Sequence, residues 1–108
     1  MSGETGEARL TLVVALFVVD GHEAEFERFE SAAATIMARY GGVLERRIAC
    51  GSSSGEDGPH EVHIVTFPDR QAFERYRDDA DLRAMTEIRE RTIGRTIVWT
   101  GVDLPRLG

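Results

Sequence analysis

The sequence predicts an α+β domain whose elements run strand–helix–strand–strand–helix–strand. Three observations carry this. The phrase Phe26-Glu27-Arg28-Phe29 returns as Phe73-Glu74-Arg75-Tyr76, an offset of 73 − 26 = 47 residues. Each copy follows an apolar run and precedes another strand-like run, so the chain reads as two similar strand–helix–strand halves. A length of 108 residues with 42% apolar residues suits one domain with one core. The domain is expected over residues 9–103, between an N-terminal tail (1–8) and a C-terminal tail (104–108).

The first strand is residues 10–19. One face carries Leu10, Leu12, Val14, Leu16 and Val18; the other carries Val13, Ala15, Phe17 and Val19. A strand apolar on both faces belongs in the middle of a sheet that is covered on both sides. Asp20 and Glu23 then form a capping box for a helix reaching about residue 40. Its apolar stripe is Phe26, Phe29, Ala33, Ile36, Met37 and Tyr40, and Gly41-Gly42 ends it. Residues 43–50 and 60–67 read as two strands of a long hairpin, joined by a Gly/Ser-rich connection. Pro68-Asp69 is a turn, with Asp69 as N-cap. The second helix is expected to break. Ala72, Phe73 and Tyr76 belong to its first part, Asp78-Asp79-Ala80-Asp81 supplies a fresh cap, and Leu82, Met85 and Ile88 form the next stripe. The last strand is about residues 93–102, and Pro105 closes the ordered part.

This order matches the split βαβ, or ferredoxin-like, unit: a four-stranded antiparallel sheet with both helices on one face. Nothing in the chain supplies a third layer. Burying one Leu or Val side chain is worth roughly 1.5–3 kcal/mol, so five left bare forgo about 8–15 kcal/mol. That is comparable to the net stability of a whole domain. The expected cover is a second copy related by two-fold symmetry, giving a homodimer with its sheets face to face.

The segment from His63 to Tyr76 has a strand ending in an aromatic-Pro turn, followed by a capped helix with small-aromatic spacing. An acidic break at Asp78-Asp79-Ala80-Asp81-Leu82 and a Leu/Met/Arg-rich helix from Arg83 to Arg91 follow. On these residues the chain, over about residues 10–102, resembles the dimeric α+β barrel superfamily. That group includes antibiotic-biosynthesis-monooxygenase-like and ethyl-tert-butyl-ether-degradation-like proteins, and small bacterial families of unknown function, which this chain resembles most. The resemblance implies a two-fold α+β barrel and a fold that hosts many activities. Members that form quinones without a cofactor typically use Asn with Trp, and haem-degrading members use Asn, Trp and His. This chain has Trp99 and no Asn, so it departs from both patterns.

Composition narrows the partners. A net charge of −6 argues against nucleic acid and anionic membranes. The longest apolar run, residues 10–19, is too short for a membrane-spanning helix. The first residues are acidic and carry no basic segment, unlike a signal peptide. A lone cysteine, Cys50, fits a reducing cytoplasm. All 13 basic residues are Arg, which excludes Schiff-base and phosphate-loop lysine chemistry.

Candidate chemistry comes from the hairpin. With Cys50 opposite His60, one face collects Leu44, Arg46, Ile48, Val62, Ile64 and Thr66. The other collects Val43, Glu45, Arg47, Ala49, Glu61, His63, Val65 and Phe67. The first is expected to meet the helices, the second to look into the barrel. Arg47 then lies opposite His63 with carboxylates nearby. His63 would move a proton and Arg47 would steady an anion. Trp99, Glu61, Glu45 and Phe67 would line the ligand pocket. The plainer interpretation is an interface salt-bridge network. His60 and His63 stand at i and i+3 on a strand and point to opposite faces, so no metal site is expected. Cys50 reads as a small residue at a strand end, His22 as solvated, and the Glu/Arg faces of the helices, including Glu27, Glu30, Arg77 and Arg91, as ordinary solvent-facing surface.

These features point to a cytoplasmic homodimer holding a small apolar or aromatic ligand. Any chemistry is expected to need no cofactor: oxygenation, isomerisation or proton abstraction beside a carbonyl. The alternatives are a non-catalytic binding or assembly module with a side-chain-filled interface, and, further off, a haem-handling protein.

Overall fold

A computed structural model describes residues 9–51 and 58–108. The expected N-terminal tail and the centre of the hairpin connection lie outside the described residues. The elements are β1 (Leu10–Val18), α1 (Glu23–Ala38), β2 (Val43–Ala49), β3 (Glu61–Phe67), α2 (Arg70–Arg77), α3 (Ala80–Arg83), α4 (Thr86–Thr92) and β4 (Ile93–Gly101). They form one antiparallel four-stranded sheet in the order β2-β3-β1-β4, the ferredoxin-like arrangement, with the helices on one face.

Turn chemistry sets the helix ends. Val19 to His22 makes a tight turn, with the His22 amide donating to the Val19 carbonyl at 3.0 Å. That turn needs a left-handed residue, and Gly21 supplies it at φ +87°. The helix therefore starts later than a cap at Asp20 would place it: His22 holds the N-cap position, and the expected capping box survives only as Glu23 accepting from the Gly21 amide at 3.3 Å. At the other end Gly41 turns left-handed at φ +75° and the Gly42 amide donates to the Met37 carbonyl at 3.0 Å.

The second helical region breaks twice rather than once. Asp69 caps α2 by accepting from the Ala72 amide at 2.8 Å. Asp79 caps α3 through the Asp81 and Leu82 amides at 2.7 and 3.2 Å. Its carboxylate also accepts from the Tyr40 hydroxyl and, at 3.1 Å, from Arg39. One nearly buried carboxylate thus ties the end of α1 to the break in the second helix. Arg91 of α4 reaches Glu25 of α1 at 3.1 Å and joins the two at the opposite end.

The sheet faces differ from the expectation. The β2–β3 pairing is as expected over its outer half: Arg47 lies opposite His63 and Ile48 opposite Val62. But β1 pairs Leu10 with Phe67, Leu12 with Val65 and Val14 with His63. Directly opposed side chains share a face. The five-residue stripe of β1 takes the helices, and it carries His63, Val65 and Phe67 to the helix side with it. Val62, Ile64 and Ile48 go to the open face instead. Packing the larger side chains under the helices decides this, and the hairpin alone cannot reveal it. A bulge at Glu45 then shifts the register, so that Leu44 opposes Val65 under the helices and Val43 opposes Thr66 on the open face.

Two buried clusters fill the helix side. Leu16, Val18, Phe26, Phe29, Ala33 and Ile93 form one; Leu10, Leu12, Val65, Phe67 and Ala72 form the other, and Val14 touches both. The repeated phrases serve one cluster each, Phe26 and Phe29 in the first, Phe73 and Tyr76 against the second. Phe67 is fully buried and its ring lies 5.5 Å from those of Phe73 and Tyr76. Gly42 sits against it so closely that an added Cβ would stand 2.6 Å from the Phe67 ring and 2.3 Å from Met37 Cγ. Gly42→Ala should therefore lower stability by about 1–3 kcal/mol, the usual cost of overpacking. Urea denaturation of the variant beside the native protein measures this.

Candidate functional site

Between the two clusters the helix side leaves a cavity of about 410 Å³. Its floor is Leu12, Val14 and Leu16 of β1 with Val65 and Phe67 of β3; Phe29, Ala33 and Met37 of α1 form one wall, and Phe73, Tyr76 and Leu82 another. Over this apolar floor stand Glu30 from α1 and His63 from β3, and Arg77, Arg83 and Arg89 also line the cavity.

Glu30 and His63 belong to a chain of charges. His63 is 3% exposed. Its Nδ1 lies 3.5 Å from Glu30 Oε1, and its Nε2 bonds to Glu61. Glu61 accepts from Arg47 Nε at 2.8 Å, and Arg47 grips Glu27 on the outer flank of α1, one contact at 3.0 Å. The order is Glu30–His63–Glu61–Arg47–Glu27, running from the cavity to solvent. A second, more open groove, lined by Glu27, Arg28, Ser31 and Leu44, meets the outer end of the same chain.

The two carboxyls flanking His63 behave oppositely. Burial dominates at Glu30 and pushes its carboxyl above the ordinary range, against the attraction of His63. At Glu61 burial also pushes upward, but hydrogen bonds from Arg47 and His63 outweigh it and hold the group below the ordinary range. Glu61 is therefore a fixed anion that orients the imidazole through Nε2. Glu30 is a carboxyl whose neutral form burial favours, and it lines the cavity. Tyr76 adds a phenol pushed up to about 12, by burial first and by the charge of Glu30 second.

Of the residues expected to form the site, the structure brings together His63, Arg47, Glu61 and Phe67, on the helix side of the sheet rather than in a space between two sheets. It separates Trp99 and Glu45 from them. Trp99 opposes Val13 on the open face and is 54% exposed. Glu45, in the bulge, accepts from Thr66 Oγ1 at 2.8 Å on that same face. Arg47 is engaged by two carboxylates, which raise its proton affinity further, Glu27 first and Glu61 second. It serves to hold Glu61. His60 and His63 engage different partners: His60 Nδ1 accepts from the Val18 amide at 3.1 Å, whereas His63 lies against Glu30 and Glu61. Among the described residues no group of three or more His, Cys, Asp or Glu is placed to hold a metal ion.

Glu30, expected on the solvent-facing surface, instead lines the cavity with its side chain 16% exposed. The signal was present: it stands one turn after Phe26 and one turn before Ala33, on the apolar stripe itself. A carboxylate on a buried stripe is the informative exception. Because its folded-state proton affinity is raised, Glu30 adds stability that is fully present below the unfolded value, about 4.3. That stability is lost as pH rises through the folded value. Glu30→Gln should escape the loss. The variant should gain on the native protein as pH climbs from 4 to 8, by about 1.4 kcal/mol for each tenfold difference in proton affinity. Thermal melts across that range measure the divergence.

Among the described residues no helix is long and apolar enough to cross a membrane. Comparison with solved structures finds the same architecture in proteins of low identity. A protein of unknown function from Rhodopseudomonas palustris aligns over 93% of this chain and 85% of its own, at TM-score 0.75 and 12% identity. A dabb family protein with a ferredoxin-like fold from Mesorhizobium loti aligns over 90% and 98%, at TM-score 0.65 and 22% identity. SnoaB, a cofactor-independent oxygenase from Streptomyces nogalater, aligns over 94% and 96%, at TM-score 0.62 and 21% identity. No curated protein matches the chain. At these identities the likeness is one of fold, and it agrees with the superfamily resemblance. A family model matches residues 12–102, nearly the whole described fold, and on that match the chain belongs to the DUF1330 family, a domain of unknown function.

Proposed function

We propose that this chain is a homodimeric α+β barrel protein that binds a small apolar or aromatic molecule in the helix-side cavity and moves a proton on it without a cofactor. One observation carries this: a largely buried carboxyl of raised proton affinity, Glu30, enters a cavity with an apolar floor beside a histidine whose other nitrogen is held by an anchored carboxylate. General bases are tuned in this way, because burial brings a carboxyl's proton affinity towards neutrality.

In this reading Glu30 takes the proton from an acidic C–H or O–H of the ligand. His63 exchanges protons with Glu30 across 3.5 Å. Glu61 and Arg47 are positioning residues that keep the imidazole in place. A ligand anion formed beside a carbonyl can be reprotonated elsewhere, which is isomerisation, or react with dioxygen. The likeness to SnoaB supports the second outcome only as a precedent for this fold. Trp99 and Glu45 take no part in this step.

The dimer rests on the open face. Val13, Ala15, Phe17, Val62, Ile64, Ile97 and Trp99 share it with Ile48 and Val43, and no helix among the described residues covers them. A second copy, sheet to sheet, buries both faces at once. An acidic chain with a single cysteine suits the cytoplasm.

β-Tetralone, a flat apolar ketone with acidic C–H bonds, tests the chemistry. In heavy water, NMR should show hydrogen exchange beside its carbonyl accelerated by the protein. Glu30→Gln should lose about 10²–10⁴ of that acceleration and His63→Ala a similar share. Unchanged exchange in both variants would remove these residues from any mechanism. Saturable binding with no exchange would favour a binding module.

A further inference from the structure

We infer that the ligand of this cavity is an anion, an aromatic or alicyclic carboxylate whose charged end rests on Arg89 and Arg77 at the mouth. The inference rests on the ligand-binding reading above and adds the class of ligand.

The walls of the cavity are unequal. The sheet floor and α1 supply apolar side chains together with Glu30 and His63. The remaining wall, from α2 to α4, supplies three arginines: Arg77, Arg83 and Arg89. The chain as a whole is acidic, at −6, so three guanidinium groups on one cavity wall run against its composition. Arg83 is already paired with Asp78 at 2.9 Å. The other two hold no carboxylate within ion-pair distance among the described residues. Arg77 lies over the Phe73 ring at 5.5 Å, and Arg89 donates to Thr96 Oγ1 at 3.2 Å. Both contacts aim the side chain without neutralising it. Arg47 and Arg91, by contrast, are closed by glutamates. The charge of Arg89 reaches into the cavity, where it works against the upward displacement of both Glu30 and Tyr76.

Polarity then fixes how a ligand enters. A carboxylate placed beside Glu30 would meet a like charge, whereas at the mouth it meets two unneutralised guanidinium groups. These are planar, forked donors that match a carboxylate. The apolar body then lies over Val14 and Val65, with its far edge towards Glu30 and His63. A volume of about 410 Å³ accommodates a bicyclic acid.

Naphthoate and its neutral isostere naphthamide distinguish the possibilities, with binding followed by ligand fluorescence at neutral pH and low salt. The native protein should prefer naphthoate by about tenfold or more, the size of one good charge-assisted contact. The preference should shrink with added salt. It should largely vanish in Arg89→Gln combined with Arg77→Gln, with naphthamide binding unchanged. Arg75→Gln, a neighbouring helix arginine outside the cavity lining, should keep it. Val98→Trp, at the mouth, should block both probes. Equal affinity for the two probes, or a preference that survives the double variant, would overturn the inference and leave the cavity reading intact. Binding of neither probe would overturn both.

Discussion

A strand that is apolar on both of its faces organises this molecule. β1 offers Leu10, Leu12, Val14, Leu16 and Val18 to one side and Val13, Ala15 and Phe17 to the other. The helices among the described residues cover one side only. They go to the bulkier stripe, where they bury two aliphatic-aromatic clusters. Two things follow from that choice: which side of β3 is core, and which surface the described helices leave without cover.

The same choice places the chemistry. Pairing with β1 carries His63 under the helices, where Glu30 of α1 meets it. The helix layer does not close over this meeting. The second helical region is cut into three short pieces, and the cavity lies between those pieces and α1. A core split in this way gives up packing, and a buried carboxyl of raised proton affinity costs further stability. Such costs are typical of sites kept for function rather than for folding. The fixed end of the charge chain, from Glu61 through Arg47 to Glu27, anchors the variable end at Glu30.

Much of this was legible in the chain. The strand and helix order and the break capped by Asp79 follow from local patterns: period two, the helical stripe, and capping carboxylates; the β2–β3 register that sets Arg47 against His63 was one of several the long connection permits. What was not legible depends on pairing between distant strands. The hairpin gave the two sets of side chains but not which set meets the helices, because Val62 and Ile64 look as suitable for a core as Val65 and Phe67. The β1–β3 register decides, and it is not local. That one inversion sent Trp99 to the wrong company and hid Glu30, since a glutamate on an amphipathic helix reads as solvent-facing until its neighbour across the layer is known. The bulge at Glu45 is hidden for a similar reason: strict alternation does not show where a strand adds one residue.

Trp99 makes the central claim open to a direct measurement. It is the only tryptophan in the chain and it stands on the open face. Its emission therefore reports that surface alone, and sedimentation equilibrium over a dilution series gives the mass in parallel. If a second copy covers the face, the protein sediments at twice the chain mass and Trp99 emits at short wavelength. Both should revert together only at extreme dilution, with loss of structure. A folded species of single-chain mass, with Trp99 emitting like free tryptophan at micromolar concentration, would contradict the account.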